Sequence, residues 1–214
     1  VSTRPGSGNS DRRANEINLS VTSWENLKSA KPHRTGAYGE GLAIAQVLRY
    51  LGFVIDESQS SAVTIVKQDD GGFVHARTRM HASNLARPIS KFGSRSGGLY
   101  DVLCVWGQPG IETVSARIRE EKIANNSVIV LYLGKLTEAQ RLRIRSIGTS
   151  VAVLDETLFV FLAGESDARL PAFLSCSMPF AEINPYVSGG RVPPEMFFGR
   201  QELAARLEDP DGAC

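Results

Sequence analysis

The residue types that do chemistry are dispersed along this chain. His33, His75 and His81 are too scattered for a metal motif, and His75 and His81 fall in or beside a basic hairpin that places them at the surface. Cys104, Cys176 and Cys214 form neither a metal-type cluster nor an even-numbered disulfide framework. Cys104 lies in an apolar run and reads as a small buried hydrophobe. No Gly-x-Ser-x-Gly elbow is present, so nothing marks a hydrolase nucleophile. Gly36-Ala37-Tyr38-Gly39-Glu40-Gly41 is glycine-rich and opens a helix. No apolar strand precedes it, so it reads as a flexible helix start rather than a dinucleotide loop. Leu154-Asp155-Glu156 ends an apolar run in an acidic pair, and Asp155 suits a strand end or a helix cap. The chain contains no Gly-x-x-x-x-Gly-Lys-Ser/Thr loop, which would supply a backbone N–H cradle, a phosphate lysine and a metal-bound hydroxyl. Tight nucleotide binding and hydrolysis are therefore not expected of these residues.

The elements that must position such groups are legible in the hydrophobic pattern. Gly36 to Leu51 predicts a helix whose apolar face is Leu42, Ile44, Ala45, Val47, Leu48 and Leu51, closed by Gly52. Phe53 to Ile55 is a short strand. Ala62 to Gln68 and Phe73 to Met80 are β-rich runs around Asp69-Asp70-Gly71-Gly72, which predicts a hairpin. Leu99 to Trp106 is an apolar strand broken by Gly107-Gln108-Pro109-Gly110, and Trp106 reads as a core or rim anchor. Ile111 to Ala124 predicts a helix, Ser127 to Leu133 a strand buried on both faces, and Thr137 an N-cap for a helix to Ile147. Val151 to Leu154 is a further strand, and Glu156 to Ala163 reads as helix or strand. The expected fold is α/β, a mixed and mainly parallel sheet flanked by helices, with an N-terminal hairpin and an extended C-terminal linker. The expected organisation is a disordered tail over 1–22, an α/β domain over 23–178, and a linker from 179 onward. Residues 165–195 read as linker with one small helix, Ala168 to Cys176.

Bulk properties narrow the function classes. At 214 residues and 42% hydrophobic content, the chain suits one soluble domain with tails. No apolar run reaches the roughly 18–20 residues that span a bilayer, and no secretory h-region opens the chain, so a reducing cytoplasm and no membrane partner are expected. The net charge of +1 implies no polyanionic partner, but it is unevenly spread. Six Lys/Arg against two Asp give +4 over 62–95, and four Arg against ten Asp/Glu give −6 over 150–214. The basic stretches read as solvated surface that could also touch nucleic acid.

Two resemblances add to this. Val192-Pro193-Pro194-Glu195-Met196-Phe197-Phe198-Gly199-Arg200-Gln201-Glu202-Leu203, preceded by Pro179-Phe180 and Asn184-Pro185-Tyr186, resembles the opening segment of a bacterial P-loop ATPase domain of AAA-like or STAND type. The resemblance implies that 179–214 begins such a domain, with Val192, Pro193, Phe198, Gly199 and Arg200 bordering the adenine slot. It implies ATP and Mg as cofactors of a longer protein, none held by this chain alone. The partner would be a downstream ATPase domain of the same polypeptide, and the α/β domain would be a regulatory or sensor portion with a DNA or protein ligand. The preceding α/β domain weakly resembles restriction-endonuclease-like folds. That resemblance implies a metal site from Glu40 on a helix, Asp101 on a strand, and Glu120 with Lys122, the acids holding a divalent ion while the lysine steadies the attacking water. Glu120 and Lys122 fall on an expected helix rather than a strand, which points to a degenerate relative. A plain protein-interaction module is the third reading.

Overall fold

The computed structural model describes residues 21–30, 36–56, 62–69, 72–82, 92, 97–120, 127–148, 150–165 and 169–178. Its elements are α1 (21–29), α2 (Gly36–Tyr50), β1 (Phe53–Ile55), β2 (Thr64–Asp69), β3 (Phe73–Ala82), β4 (Leu99–Val105), α3 (Ile111–Glu120), β5 (Ser127–Tyr132), α4 (Glu138–Arg145), β6 (Val151–Asp155), α5 (Glu156–Ala163) and α6 (Arg169–Ser177).

The continuous apolar runs become the centre of the sheet. Every residue of β5 and of β6 is buried, as is all of β4 after Leu99. Such strands need cover on both faces. The sheet runs β1-β3-β4-β5-β6, with β2 also paired to β3. β4, β5 and β6 are mutually parallel, while β1, β2 and β4 all pair antiparallel with β3. The fold is thus α/β with a mixed sheet, its parallel character confined to the C-terminal half.

The connections decide which helix covers which face. Parallel neighbours joined in succession cross over with one hand, so α3 and α4 lie on the same face. Val114 and Ile118 of α3 and Ile144 of α4 pack there on Leu103, Val105, Val128, Val130, Val151 and Val153. The opposite face carries α1, α2, α5 and α6, packed on Val74, Ala76, Val102, Cys104, Ile129, Leu131, Ala152 and Leu154. Trp24 of α1 stacks on Phe159 of α5 at 4.5 Å. Trp106 donates its indole N–H to the Leu27 carbonyl at 3.1 Å, which ties α1 to the end of β4 and makes this tryptophan the core anchor expected of it.

Local signals explain the element ends. Gly52 sits at φ 98° just after α2, a conformation that favours glycine at a helix C-terminus. Gly72 at φ 80° closes the β2–β3 turn, where a Cβ would lie 3.0 Å from the Trp106 carbonyl oxygen. Thr137 caps α4 in a reciprocal capping box with Gln140. Pro171 stands in the first turn of α6, where its missing N–H costs nothing.

Several expectations are revised. The chain is already helical at residue 21, two residues inside the expected tail; the rest of that tail lies outside the described residues. Leu42 is half exposed rather than on the apolar face of α2, because Ile44, Val47, Leu48 and Leu51 already fill the contact with the sheet. α6 packs on the domain, within the expected 23–178 bound, and not as part of a linker over 165–195. Phe173 is fully buried in the core, and the Ser177 hydroxyl donates to the Val153 carbonyl at 3.1 Å. Glu156–Ala163 is a helix, since Asp155 caps it by accepting from the Leu158 N–H. Among the described residues no helix is long and apolar enough to cross a membrane.

Asp155 does more than cap. Fully buried, it also accepts the Leu136 N–H at 2.9 Å and the Arg141 guanidinium at 3.1 Å. One carboxylate therefore fixes the start of α5, the loop after β5 and the first turn of α4. Replacing it removes a cap and strands buried donors. Asp155→Ala should destabilise the fold by about 3 kcal/mol, combining the cap and desolvation costs. Urea denaturation of both proteins reads this directly, and a loss below about 1 kcal/mol would contradict the role assigned to this side chain.

Candidate functional site

The β3–β4 pair holds the densest polar group inside the fold. Antiparallel register sets Arg77 opposite Asp101 and His75 opposite Leu103. Alternation then puts His75, Arg77 and Asp101 on the face that carries α3 and α4. Asp101 is fully buried. Its Oδ1 lies 2.7 Å from His75 Nε2 and accepts from Arg77 Nε at 3.0 Å. A carboxylate facing a guanidinium is an acceptor, which assigns the shared proton of the histidine pair to Nε2. His75 is 4% exposed and Arg77 42% exposed. The group therefore runs from the interior to the surface across the β3–β4 pair.

α3 supplies the cover at the hairpin end. Arg117 pairs with Asp69 of β2 and stacks over the Phe73 ring at 5.2 Å. Burial of this face fades along β3 from Phe73 and His75 to the part-exposed Arg77. His75 is accordingly an interior residue, not the surface residue the basic hairpin implied; His81, six residues further on, is exposed.

A second buried carboxylate lies on the other side of the sheet. Glu40 of α2 is fully buried and accepts from the Gln68 side-chain amide at 3.1 Å. Gln68 pairs with Val74, which points into the α1/α2/α5/α6 core. Complete burial pushes the Cys104 thiol well above its ordinary value, and the nearby Glu40 charge pushes it the same way. Burial also raises the Tyr100 phenol.

This geometry separates the residues of the metal-site expectation. Glu40 of α2 lies against one face of the sheet and Asp101 of β4 projects from the other, so the two acids do not converge on a common ion. Glu120 ends α3 and not a strand, and Lys122 lies outside the described residues. Among the described residues no group of three His, Cys, Asp or Glu is placed to hold a metal ion. Val192, Pro193, Phe198, Gly199 and Arg200 also lie outside the described residues.

Comparison with family models, curated proteins and solved structures finds no match. Geometry and sequence together therefore carry the functional argument. The sequence pattern passed over His75, Arg77 and Gln68. A signal for the first two was present: an aspartate inside the otherwise apolar Leu99-Tyr100-Asp101-Val102-Leu103 needs a partner, and the neighbouring strand is where one must come from.

Two outcomes follow. Asp101→Ala removes the buried acceptor that His75 and Arg77 share, and should cost about 3 kcal/mol in urea denaturation, against about 1 kcal/mol for the part-exposed partner in Arg77→Ala. Equal losses would show that the pair does not run from interior to surface as described. The second outcome concerns alkali. The folded chain keeps the Cys104 and Tyr100 protons where the unfolded chain releases them, above about pH 9 and 10. Stability is thus complete below pH 9 and falls as pH rises through the unfolded values. The urea midpoint should drop steadily above pH 9, and less so in Cys104→Ala measured against its own neutral-pH value.

Proposed function

We propose that this chain is the non-catalytic regulatory or sensor portion of a larger P-loop ATPase. The observation that carries the ATPase part is the run Phe197-Phe198-Gly199-Arg200-Gln201-Glu202-Leu203 following a proline-rich stretch. The division of labour follows from what surrounds it. These residues contain no phosphate loop, and the buried carboxylates of the α/β domain are engaged with protein partners on separate faces. On this reading ATP and Mg act in the downstream domain, and the α/β domain adjusts that engine by what it binds.

The order of helix, antiparallel strands, and then strand–helix–strand favours a second reading, a restriction-endonuclease-like relative. The opposite-face placement of Glu40 and Asp101 supports a relative that binds without cutting. DNA binding by such a domain would weaken steeply with salt, because phosphate contacts release counterions.

The first reading has a direct test. This chain with Mg-ATP should release phosphate at the background rate, and the coding sequence beyond Cys214 should continue into an apolar strand and a Gly-x-x-x-x-Gly-Lys-Ser/Thr loop. Continuation without that loop would overturn the ATPase assignment. Metal-dependent cleavage of duplex DNA, lost in Asp101→Ala, would replace it with an active nuclease.

A further inference from the structure

α5 is apolar on more sides than its packing uses. Leu158 to Ala163 is an unbroken apolar run. Leu158, Phe159 and Leu162 face the core, while Val160 is 66% and Phe161 53% exposed. Thr157, Val160, Phe161 and Gly164 follow the i, i+3, i+4, i+7 spacing that puts residues on one side of a helix. The outer stripe of α5 is therefore uncharged along its length, whereas a helix apolar all round is normally buried. The other large apolar side chains exposed among the described residues, such as Leu42, Val66 and Leu142, stand singly on separate elements and need no cover.

Chain continuity brings a cover within reach. α6 ends beside β6, where the Ser177 hydroxyl donates to the Val153 carbonyl, and Met178 after it is buried. Two strand residues and five helical residues lead from Val153 to Val160, a path of about 15 Å. The sequence after Met178 opens Pro179-Phe180-Ala181-Glu182-Ile183-Asn184-Pro185-Tyr186-Val187. Pro179 and Pro185 favour extended backbone. At three residues per turn of a polyproline helix, Phe180, Ile183 and Tyr186 share one edge and Glu182 falls off it. At ~3.1 Å per residue, the five steps from Met178 to Ile183 match the path to Val160.

We propose that residues 179–187 dock along the outer stripe of α5, seating Phe180, Ile183 and Tyr186 against Val160 and Phe161. An aromatic and a branched side chain on a fixed helix form the kind of surface that takes extended proline-rich segments. A second copy of the chain fits less well, because two exposed side chains fall far short of the roughly 800 Å² per partner that a stable dimer buries. The contact itself does not depend on the ATPase reading. Under that reading it would fix the point at which the chain leaves the α/β domain for the downstream one.

Chymotrypsin cleavage of the full chain tests the contact, read after Tyr186 and referenced to cleavage after Phe198. Tyr186 should be cut about tenfold more slowly, or slower still, than in a free peptide of residues 179–203, since cleavage tracks the undocked fraction. Val160→Ser with Phe161→Ser should restore the peptide rate. Both side chains are exposed, so this variant keeps the fold, which its thermal melt verifies. Phe180→Ser with Ile183→Ser leaves α5 untouched and should do the same. Leu142→Ser, exposed on α4 at the other face, is the control and should leave the rate unchanged. A rate in the intact chain equal to that of the peptide, or protection indifferent to either double variant, would overturn the proposal. Protection that disappears on dilution assigns the α5 stripe to a second copy and overturns it as well. None of these results bears on the sequence beyond Cys214, so the two proposals fail separately.

Discussion

β5 has no polar face. Ser127-Val128-Ile129-Val130-Leu131-Tyr132 is buried at every position, and a strand of this kind is stable only inside a three-layer sandwich. Much of the architecture follows from that constraint. The crossovers through α3 and α4 can cover one face only, since they step in one direction along β4, β5 and β6. The other face must be covered by helices from outside the parallel unit. The chain supplies α1 and α2 from its N-terminal side and α5 and α6 from its C-terminal side. The domain is therefore closed by two helix pairs, α1 with α2 and α5 with α6, packed over one face, which is where Trp24 and Phe159 stack.

A sheet dry on both faces also dictates how its polar groups behave. A carboxylate inside it must find donors, because leaving a charge buried alone costs several kcal/mol. Asp155 takes backbone N–H groups and Arg141, Asp101 takes Arg77 and His75, and Glu40 takes Gln68. Each solution links elements distant in sequence, so these acids specify register and helix placement. Paired acids of a metal centre would have to share one face and leave oxygens open to an ion. Here alternation along β3 and β4 assigns Asp101 to one side, and the packing of α2 assigns Glu40 to the other. Strand alternation fixes Asp101 and helix packing fixes Glu40, and the sheet lies between them, so no side-chain rotation reunites them.

The same physics explains what could be read from the sequence. The strand–helix alternation after residue 99, the hairpin, the Gly52 stop, the Thr137 cap and the Asp155 cap were all legible, because each is a local signal of period, turn chemistry or capping. His75 was not, because its strand carries His75, Arg77, Arg79 and His81 on one face and so has the pattern of a solvent-facing surface. Burial there is imposed by α3, whose Arg117 reaches the hairpin end of β3, and no local pattern reports how far a helix reaches along a neighbouring strand. The packing of α6 was hidden for a similar reason: a nine-residue helix bounded by polar segments looks like linker until β6 is known to need cover at its edge. The cavity between α1, the end of α2 and the start of α6 was invisible altogether, since Arg49 and Arg169 are 120 residues apart and line it only because α2 and α6 pack over the same face.

That closure fixes the last described helix in place. α6 is anchored to β6 through Ser177 and to the core through Phe173, while its first residue, Arg169, rests on Tyr50 of α2. Leu170 in its first turn is buried as well, so apolar burial holds this helix at both ends, and the cation on the Tyr50 ring adds to it.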